Sequence, residues 1–360
     1  MTDIFLEKRI HCRYTIENMT EQQRLPKPFV WRRWHSLTGI WLSIFLIEHL
    51  LTNSQAALWL GGDGSGFIHA VNFIKHLPYL EVIEILLLGV PIFIHLVWGI
   101  QYLRTGKLNS FPTDGTTPSL TQYPRNHAYS WQRITSWILV ATLLGHIIHM
   151  RFLEYPYSAK VNGKNLYMVR VNLDEGLYTL AGRLNVQLYD QQMIDMQKQQ
   201  LPAADNALTL SSGMWSSFVD SLQGIFTQQK EKQTIMRNKR EELLIQQNKT
   251  QQKHFLHSLE SRTLAPGQVI AVTEEFGIAE LLMVRETFKM PMMIALYTIF
   301  VLSACYHGFN GLWTFLITWG VSLTARSQQI MRSVSTTLMV VVAFLGLAAI
   351  WGTYWINLKS

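Results

Sequence analysis

Four histidines, His49, His95, His146 and His307, stand well inside long apolar stretches of the chain, one to a stretch. An imidazole within a lipid-embedded helix is costly, because bulk water is absent and each polar nitrogen needs a protein or cofactor partner. Four of them in four helices suggest two pairs. Paired imidazoles in an apolar bundle are how a protein grips haem iron at both axial positions, so the chemistry implied is electron transfer by two b haems inside a membrane. The two cysteines, Cys12 and Cys305, form no CxxC or CxxCH pattern, so the haems would be held without a covalent link.

The elements that must position these residues follow from composition. Of 360 residues, 48% are hydrophobic, only 15% are charged and 12 are Trp, which places the chain in the membrane class. Five segments are long enough, at about 1.5 Å per residue, to cross a hydrocarbon core of roughly 30 Å: Trp34 to Leu51, Val82 to Leu103, Trp131 to Phe152, Met290 to Leu316 and Val334 to Trp355. The expected fold is an all-α membrane protein, a bundle of five transmembrane helices holding two b haems, with an α+β insertion between the third and fourth.

Cationic flanks set the orientation. Lys8, Arg9, Arg13, Arg24, Lys27, Arg32 and Arg33 precede the first segment, and no signal-peptide pattern accompanies them. Arg104, Lys107, Arg125 and Arg133 lie between the second and third, Arg326 and Arg332 between the fourth and fifth, and only Lys75 between the first and second. The N-terminus is expected in the cytoplasm. The net charge of +7 then reads as a topology signal with some attraction to anionic lipid, and no nucleic-acid partner is called for.

Depth decides the pairing. His49 and His146 each lie about 15 residues beyond the cytoplasmic entry of their helices, roughly 22 Å deep, at an outer level. His95 and His307 lie roughly 20 to 25 Å from the outer side, at an inner level. An outer haem is expected between His49 and His146, and an inner one between His95 and His307. Pro91 and Gly99 beside His95, and Gly308 and Gly311 beside His307, offer room for a flat ring. His149, one turn past His146, is the rival ligand on the third helix. The alternative is a haem-free scaffold or proton path, in which the histidines only join helices or relay protons.

The organisation expected is a cytoplasmic tail over 1–30, helices one to three over 31–153, an extracytoplasmic insertion over 154–285, and helices four and five over 286–360. Within the insertion, Asn162-Gly163 between Tyr157–Val161 and Leu166–Val171 predicts a hairpin, and Val269 to Thr273 a strand beside it. From Met214 to Leu259 a long polar helix or helical hairpin is predicted, with Trp215, Phe218, Leu222, Phe226, Leu243 and Leu244 as its apolar positions. His254 and His257 read as part of a solvated face.

Several motifs resemble a known family: Arg32-Arg33-Trp34-His35-Ser36-Leu37-Thr38-Gly39, Ile44 to Leu50 around Glu48-His49, Trp131-Gln132-Arg133-Ile134-Thr135, and above all the run from His307 to Gln328 with Asn310-Gly311-Leu312-Trp313 and Thr324-Ala325-Arg326-Ser327-Gln328. Together they resemble the di-haem, single-polypeptide cytochrome b558 anchor of bacterial succinate dehydrogenase and fumarate reductase, over residues 30–153 and 286–356. The large insertion departs from that pattern.

The resemblance carries the haem-ligand positions onto His49, His95, His146 and His307. It implies a bacterial cytoplasmic membrane location and two soluble partners, a flavoprotein subunit and an iron-sulfur subunit. It further implies electron relay through a proximal and a distal haem to a membrane quinone, with menaquinone the expected one. Glu84, then Glu48 and His149, are the candidates for supplying protons to the quinone. Arg33, His35, Ser36, Arg133 and Arg326 are candidates for binding haem propionates or seating the iron-sulfur subunit, since guanidinium matches carboxylate as a two-pronged fork. An anchor of another two-haem respiratory enzyme, such as a nitrate reductase or hydrogenase, shares the same membrane physics.

Overall fold

The computed structural model describes residues 25–57, 62–106, 110–111, 120–199, 228–261 and 263–359. Cys12, the cationic tail through Arg24, Lys107 and the apolar positions Trp215 to Phe226 lie outside the described residues. Long helices dominate, and four of them are long and apolar enough to cross a membrane: α3 (Leu80–Thr105), α4 (Arg125–Leu153), α8 (Pro291–Thr318) and α9 (Ala325–Ile356). The first expected segment is also helical, as the 28-residue α1 (Lys27–Ser54), but it mixes His35, Glu48 and His49 into its apolar length and is not among those four. Between α1 and α3 lies the short α2 (Ser65–Lys75).

The chain divides into two compact units. One comprises Met1–His49, Tyr79–Ala141 and Phe300–Phe344; the other comprises Leu50–Pro78, Thr142–Ile299 and Leu345–Ser360.

Among the described residues the first unit has helices and no strand, and its backbone polar groups follow the rule that an apolar surround forces internal satisfaction. Hydroxyls turn back on their own helices: Thr38 Oγ1 donates to Trp34 O at 2.9 Å and Thr135 Oγ1 to Trp131 O at 2.8 Å. Ser43 Oγ is 2.9 Å from Gly39 O and 3.4 Å from Gly308 O on α8, and a Cβ on Gly308 would lie only 3.1 Å from that oxygen. In α3, a π-helical turn at Ile85–Gly89 precedes Pro91. Proline has no N–H to give to the carbonyl four residues back. That carbonyl, Leu87 O, instead accepts from Trp41 Nε1 at 2.6 Å. Outward-facing Ile44, Phe93, Leu302 and Phe344 remain exposed, as lipid-facing side chains do.

The second unit contains a four-stranded antiparallel sheet. Its strands are β1 (Tyr157–Val161), β2 (Lys164–Asn172), β3 (Gln187–Tyr189) and β4 (Gln268–Thr273), in the order β1-β2-β4-β3. The β1–β2 turn is Asn162-Gly163 with φ of 50° and 82°, the positive values that a two-residue hairpin requires and that these residues tolerate. Val161 pairs with Lys164, and Met168 with Val272 across β4. Side-chain alternation buries both faces. Met168, Ile270 and Val272 pack against Phe255, Leu256 and Leu259 at the end of α6 (Gln228–Glu260). Val169, Val171, Val269 and Ala271, on the alternate positions, are buried as well, and α7 (Phe276–Thr287) packs on the sheet and on α2. A short helix, α5 (Glu175–Arg183), is capped by Asp174, whose Oδ1 accepts from Leu177 N at 2.7 Å.

An ion-pair cluster ties these pieces. Arg285, 7% exposed, reaches Asp174 through both terminal nitrogens at 2.9 and 2.7 Å. Lys289 joins the same carboxylate at 2.6 Å and Glu286 at 2.8 Å. Burial pushes the Asp174 carboxyl up, but hydrogen bonds from Arg285 and Lys289 outweigh that and hold it well below the usual carboxylate range. On the α2-facing side, Glu280 is pushed up to about 7 by burial, against the pull of Lys75 and Arg151.

Candidate haem site

His95 on α3 and His307 on α8 come together in the first unit, with ring centroids 6.0 Å apart and planes at 86°. Both rings are half-buried. His95 Nδ1 lies 3.0 Å from the backbone carbonyl of His35. A carbonyl can only accept, so Nδ1 carries the proton and Nε2 presents its lone pair. Thr38 Oγ1 stands 3.4 Å from the same Nδ1. The ring lies against Gly39, where a Cβ would come within 2.8 Å of Cε1. No other residue leaves that space.

On its other flank His95 stacks on His35, with centroids 4.0 Å apart and planes at 12°. The His35 ring meets Tyr102 edge-on, and its Nδ1 is buried with no hydrogen bond among the described residues.

His307 is held from α4. Its Nδ1 is 3.1 Å from Gln132 Nε2 and 3.2 Å from Ser136 Oγ, while Gln132 Nε2 also donates to His307 O at 3.0 Å. Asn310 Nδ2 donates to Gln132 Oε1 at 2.6 Å, and Trp313 Nε1 to Asn310 Oδ1 at 2.9 Å. Among the described residues, none of the hydrogen bonds to the rings of His95 and His307 uses Nε2. The donor chemistry of these two residues suits a haem: each imidazole has partners at Nδ1, and its Nε2 is the nitrogen that would hold the iron. Their ring centroids, 6.0 Å apart, are near enough that both imidazoles could serve one bound haem, for which they would supply nitrogen donors. Among the described residues no group of three or more His, Cys, Asp and Glu is arranged to hold a bare metal ion; a haem iron asks the protein for two ligands only.

The small residues beside the ligands meet side chains. Gly99 faces His35 Cε1 at 3.6 Å, Gly308 faces Ser43, and Gly311 faces Gln132 Nε2 at 3.9 Å.

The other expected residues are distributed over both units. His49, in the first, stacks on Phe45 with centroids 5.2 Å apart, and Glu48 beside it is exposed. Glu84 is half-buried one residue before the π-helical turn of α3. In the second unit the Tyr297 hydroxyl lies between His146 Nδ1 at 3.2 Å and His149 Nδ1 at 3.4 Å, so the rival histidines of α4 share one partner.

Among the cations, Arg33 donates to Thr318 O and lies 3.4 Å over the Phe29 ring. Ser36 Oγ donates to Arg33 O and accepts from Trp319 Nε1, each at 3.0 Å. Arg133 lies 3.5 Å over the Tyr129 ring, its Nε is buried without a hydrogen bond among the described residues, and its guanidinium fills the space where a Gly106 Cβ would be. Arg326 is exposed.

The chain aligns with the succinate dehydrogenase cytochrome b558 subunit of Bacillus subtilis (strain 168), at 22% identity over 326 residues that cover 90% of this chain and 96% of that protein. The two are homologues. The resemblance read from the helix motifs is thereby borne out, and four apolar helices together with a membrane-subunit homologue make this a multi-pass membrane protein. No protein-family model matches the chain, and no solved structure does.

The sequence singles out His95 and His307 but not Gln132, Ser136 or Thr38 around them. Gln132 and Thr38 stood within the family motifs; their facing a particular imidazole depends on how the helices are packed.

Proposed function

We propose that this chain is the di-haem cytochrome b anchor of a succinate:quinone oxidoreductase, with five membrane-spanning helices of which α1 is the first. His95 and His307 would hold the inner haem, and His49 and His146 the outer. When bound, the two haems supply one-electron carriers between an iron-sulfur subunit, itself served by a flavoprotein subunit, and a membrane quinone. The observation that carries the reading is the pair His95 and His307, 6.0 Å apart, with both Nδ1 atoms engaged by neighbouring helices. The homologue's name supports the same assignment. For the outer pair, support comes from helix depth and the family resemblance.

The chain's own residues have separable tasks in this reading. The His35 carbonyl and the Gln132 and Ser136 side chains orient the inner ligands. Arg33, His35, Ser36, Arg133 and Arg326 offer cations and hydrogen-bond donors for propionates or for the iron-sulfur subunit; Arg133, with its unbonded Nε, is the first choice. Glu84, Glu48 and His149 are the groups able to hold or deliver a proton to quinone oxygen. Domain limits at 30, 153 and 285, an N-terminus in the cytoplasm of a bacterium and menaquinone as acceptor complete the proposal.

The test is alanine substitution at each ligand, with haem content and reduced-minus-oxidised spectra of membranes. His95→Ala and His307→Ala are expected to remove one and the same haem, and His49→Ala and His146→Ala the other. Losses that cross these pairs, or wild-type membranes without a b-type band, would overturn it. Co-purification with a molybdenum or nickel enzyme in place of a flavoprotein would favour the other respiratory anchors.

A further inference from the structure

The hydrogen bonds around His307 can be given directions, because the chain of contacts ends on a group with no choice. Indole Nε1–H only donates, so Asn310 Oδ1, 2.9 Å from Trp313 Nε1, is an acceptor, and the amide nitrogen of Asn310 points the other way. It donates to Gln132 Oε1 at 2.6 Å. That fixes Gln132 with its own amide nitrogen toward His307, where the carbonyl oxygen of His307 accepts at 3.0 Å. The serine one turn along α4 is fixed in the same way. Ser136 Oγ has a single proton, and the backbone oxygen of Gln132 lies 2.6 Å from it, a better acceptor at a shorter distance than His307 Nδ1 at 3.2 Å. Toward His307 the serine therefore offers a lone pair.

Two tautomers of His307 compete at this point. Were Nδ1 bare, it would accept a hydrogen bond from Gln132 Nε2, 3.1 Å away, and the ring's own Nε2 would carry the hydrogen and be useless to iron. With the hydrogen on Nδ1, Ser136 accepts it and Nε2 is free to ligate. His95 has no such choice, since its Nδ1 faces a carbonyl.

We propose that Ser136 is a positioning residue that selects the metal-binding tautomer of His307, with Trp313, Asn310 and Gln132 as a polar relay that holds the glutamine amide on the His307 carbonyl. This rests on the reading of His307 as the inner-haem ligand. The two ligands of that haem then differ in kind. His95 gives its Nδ1 hydrogen to a backbone carbonyl and is the stronger electron donor, whereas His307 gives its hydrogen to a hydroxyl beside an amide and is the weaker. An acceptor at Nδ1 raises the basicity of the imidazole and favours the ferric state, so altering Ser136 or Gln132 changes the reduction potential of one haem without touching a ligand.

The experiment is redox titration of both haems, with low-temperature spectra and haem content, in membranes carrying the full complex. Ser136→Ala removes the acceptor; the midpoint of the haem that is lost in His307→Ala is expected to rise, and affinity for that haem to fall about 10-fold. Ser136→Thr keeps a hydroxyl and is expected to stay near the original midpoint. Gln132→Glu sets a carboxylate at Nδ1 and is expected to lower it. A merely structural role for Ser136 would not give shifts of opposite sign in Ser136→Ala and Gln132→Glu. Unchanged midpoints in Ser136→Ala, shifts of like sign in both variants, or a Ser136→Ala defect that Ser136→Thr does not repair would overturn the proposal while His307→Ala still removes one haem. Retention of both haems in His307→Ala would instead overturn the reading beneath it.

Discussion

Pro91 and Trp41 show how a single residue is answered by another across a helix interface. The proline withholds an N–H from Leu87 O, and the Trp41 indole supplies one at 2.6 Å. In an apolar surround an unmet carbonyl is expensive, so Trp41→Phe is expected to destabilise the bundle by about 1–3 kcal/mol. Pro91→Ala restores a backbone donor to the same carbonyl, and the double variant Trp41→Phe/Pro91→Ala should recover most of that loss. Detergent or thermal unfolding of the two singles and the double measures the coupling. Simple additivity would show that the indole contributes by packing alone. The same logic would govern the proposed ligands, where a histidine is only as useful as the partner of its other nitrogen.

At the scale of elements, the sheet-bearing unit contains two carboxyls whose responses to pH are opposed. Asp174, held low by Arg285 and Lys289, contributes stability that is present above the ordinary carboxylate range and is lost as pH falls through it and below. Glu280, pushed up to about 7 by burial, binds its proton more tightly folded than unfolded, so its contribution is present below the ordinary range and is lost as pH rises toward 7. Between about pH 5 and 7 the second effect governs, since Asp174 is ionised throughout. Glu280→Gln is therefore expected to flatten the decline of thermal stability over that window and to leave the acid limb, which Asp174→Asn removes. A decline that persists in Glu280→Gln would assign it to another group. Elements also differ in how far sequence foretells them. The β1–β2 hairpin was legible because Asn162-Gly163 meets a local demand for positive φ. The three-residue β3 was not, because Gln187–Tyr189 acquires its conformation from β4, some eighty residues away. The π-helical turns at Ile85–Gly89, Ile148–Leu153 and Ala348–Gly352 carry no periodicity of their own and escaped for the same reason.

For the whole molecule, apolar length was enough to place each long apolar helix, although α1, α4 and α9 begin well before Trp34, Trp131 and Val334, at Lys27, Arg125 and Ala325, and the shared depth of His95 and His307 anticipated that they would meet. What composition could not give is the direction in which Gln132, Ser136 and Asn310 face, since that depends on the rotation of α4 and α8 about their axes. Orientation across the bilayer can be tested directly. A cysteine in place of Lys164, beside the hairpin turn, is expected to react with a membrane-impermeant maleimide on intact cells, and one in place of the exposed Arg326 only after lysis. The reverse pattern would invert the topology. Finally, the space left by Gly39 does more than admit a ring. Sliding α1 by one position either way would put Thr38 or Ile40 in the place of Gly39, where any Cβ comes within 2.8 Å of His95 Cε1. The helix pair thus has one notch, and a missing methyl serves as the index mark that sets α1 against the imidazole of His95.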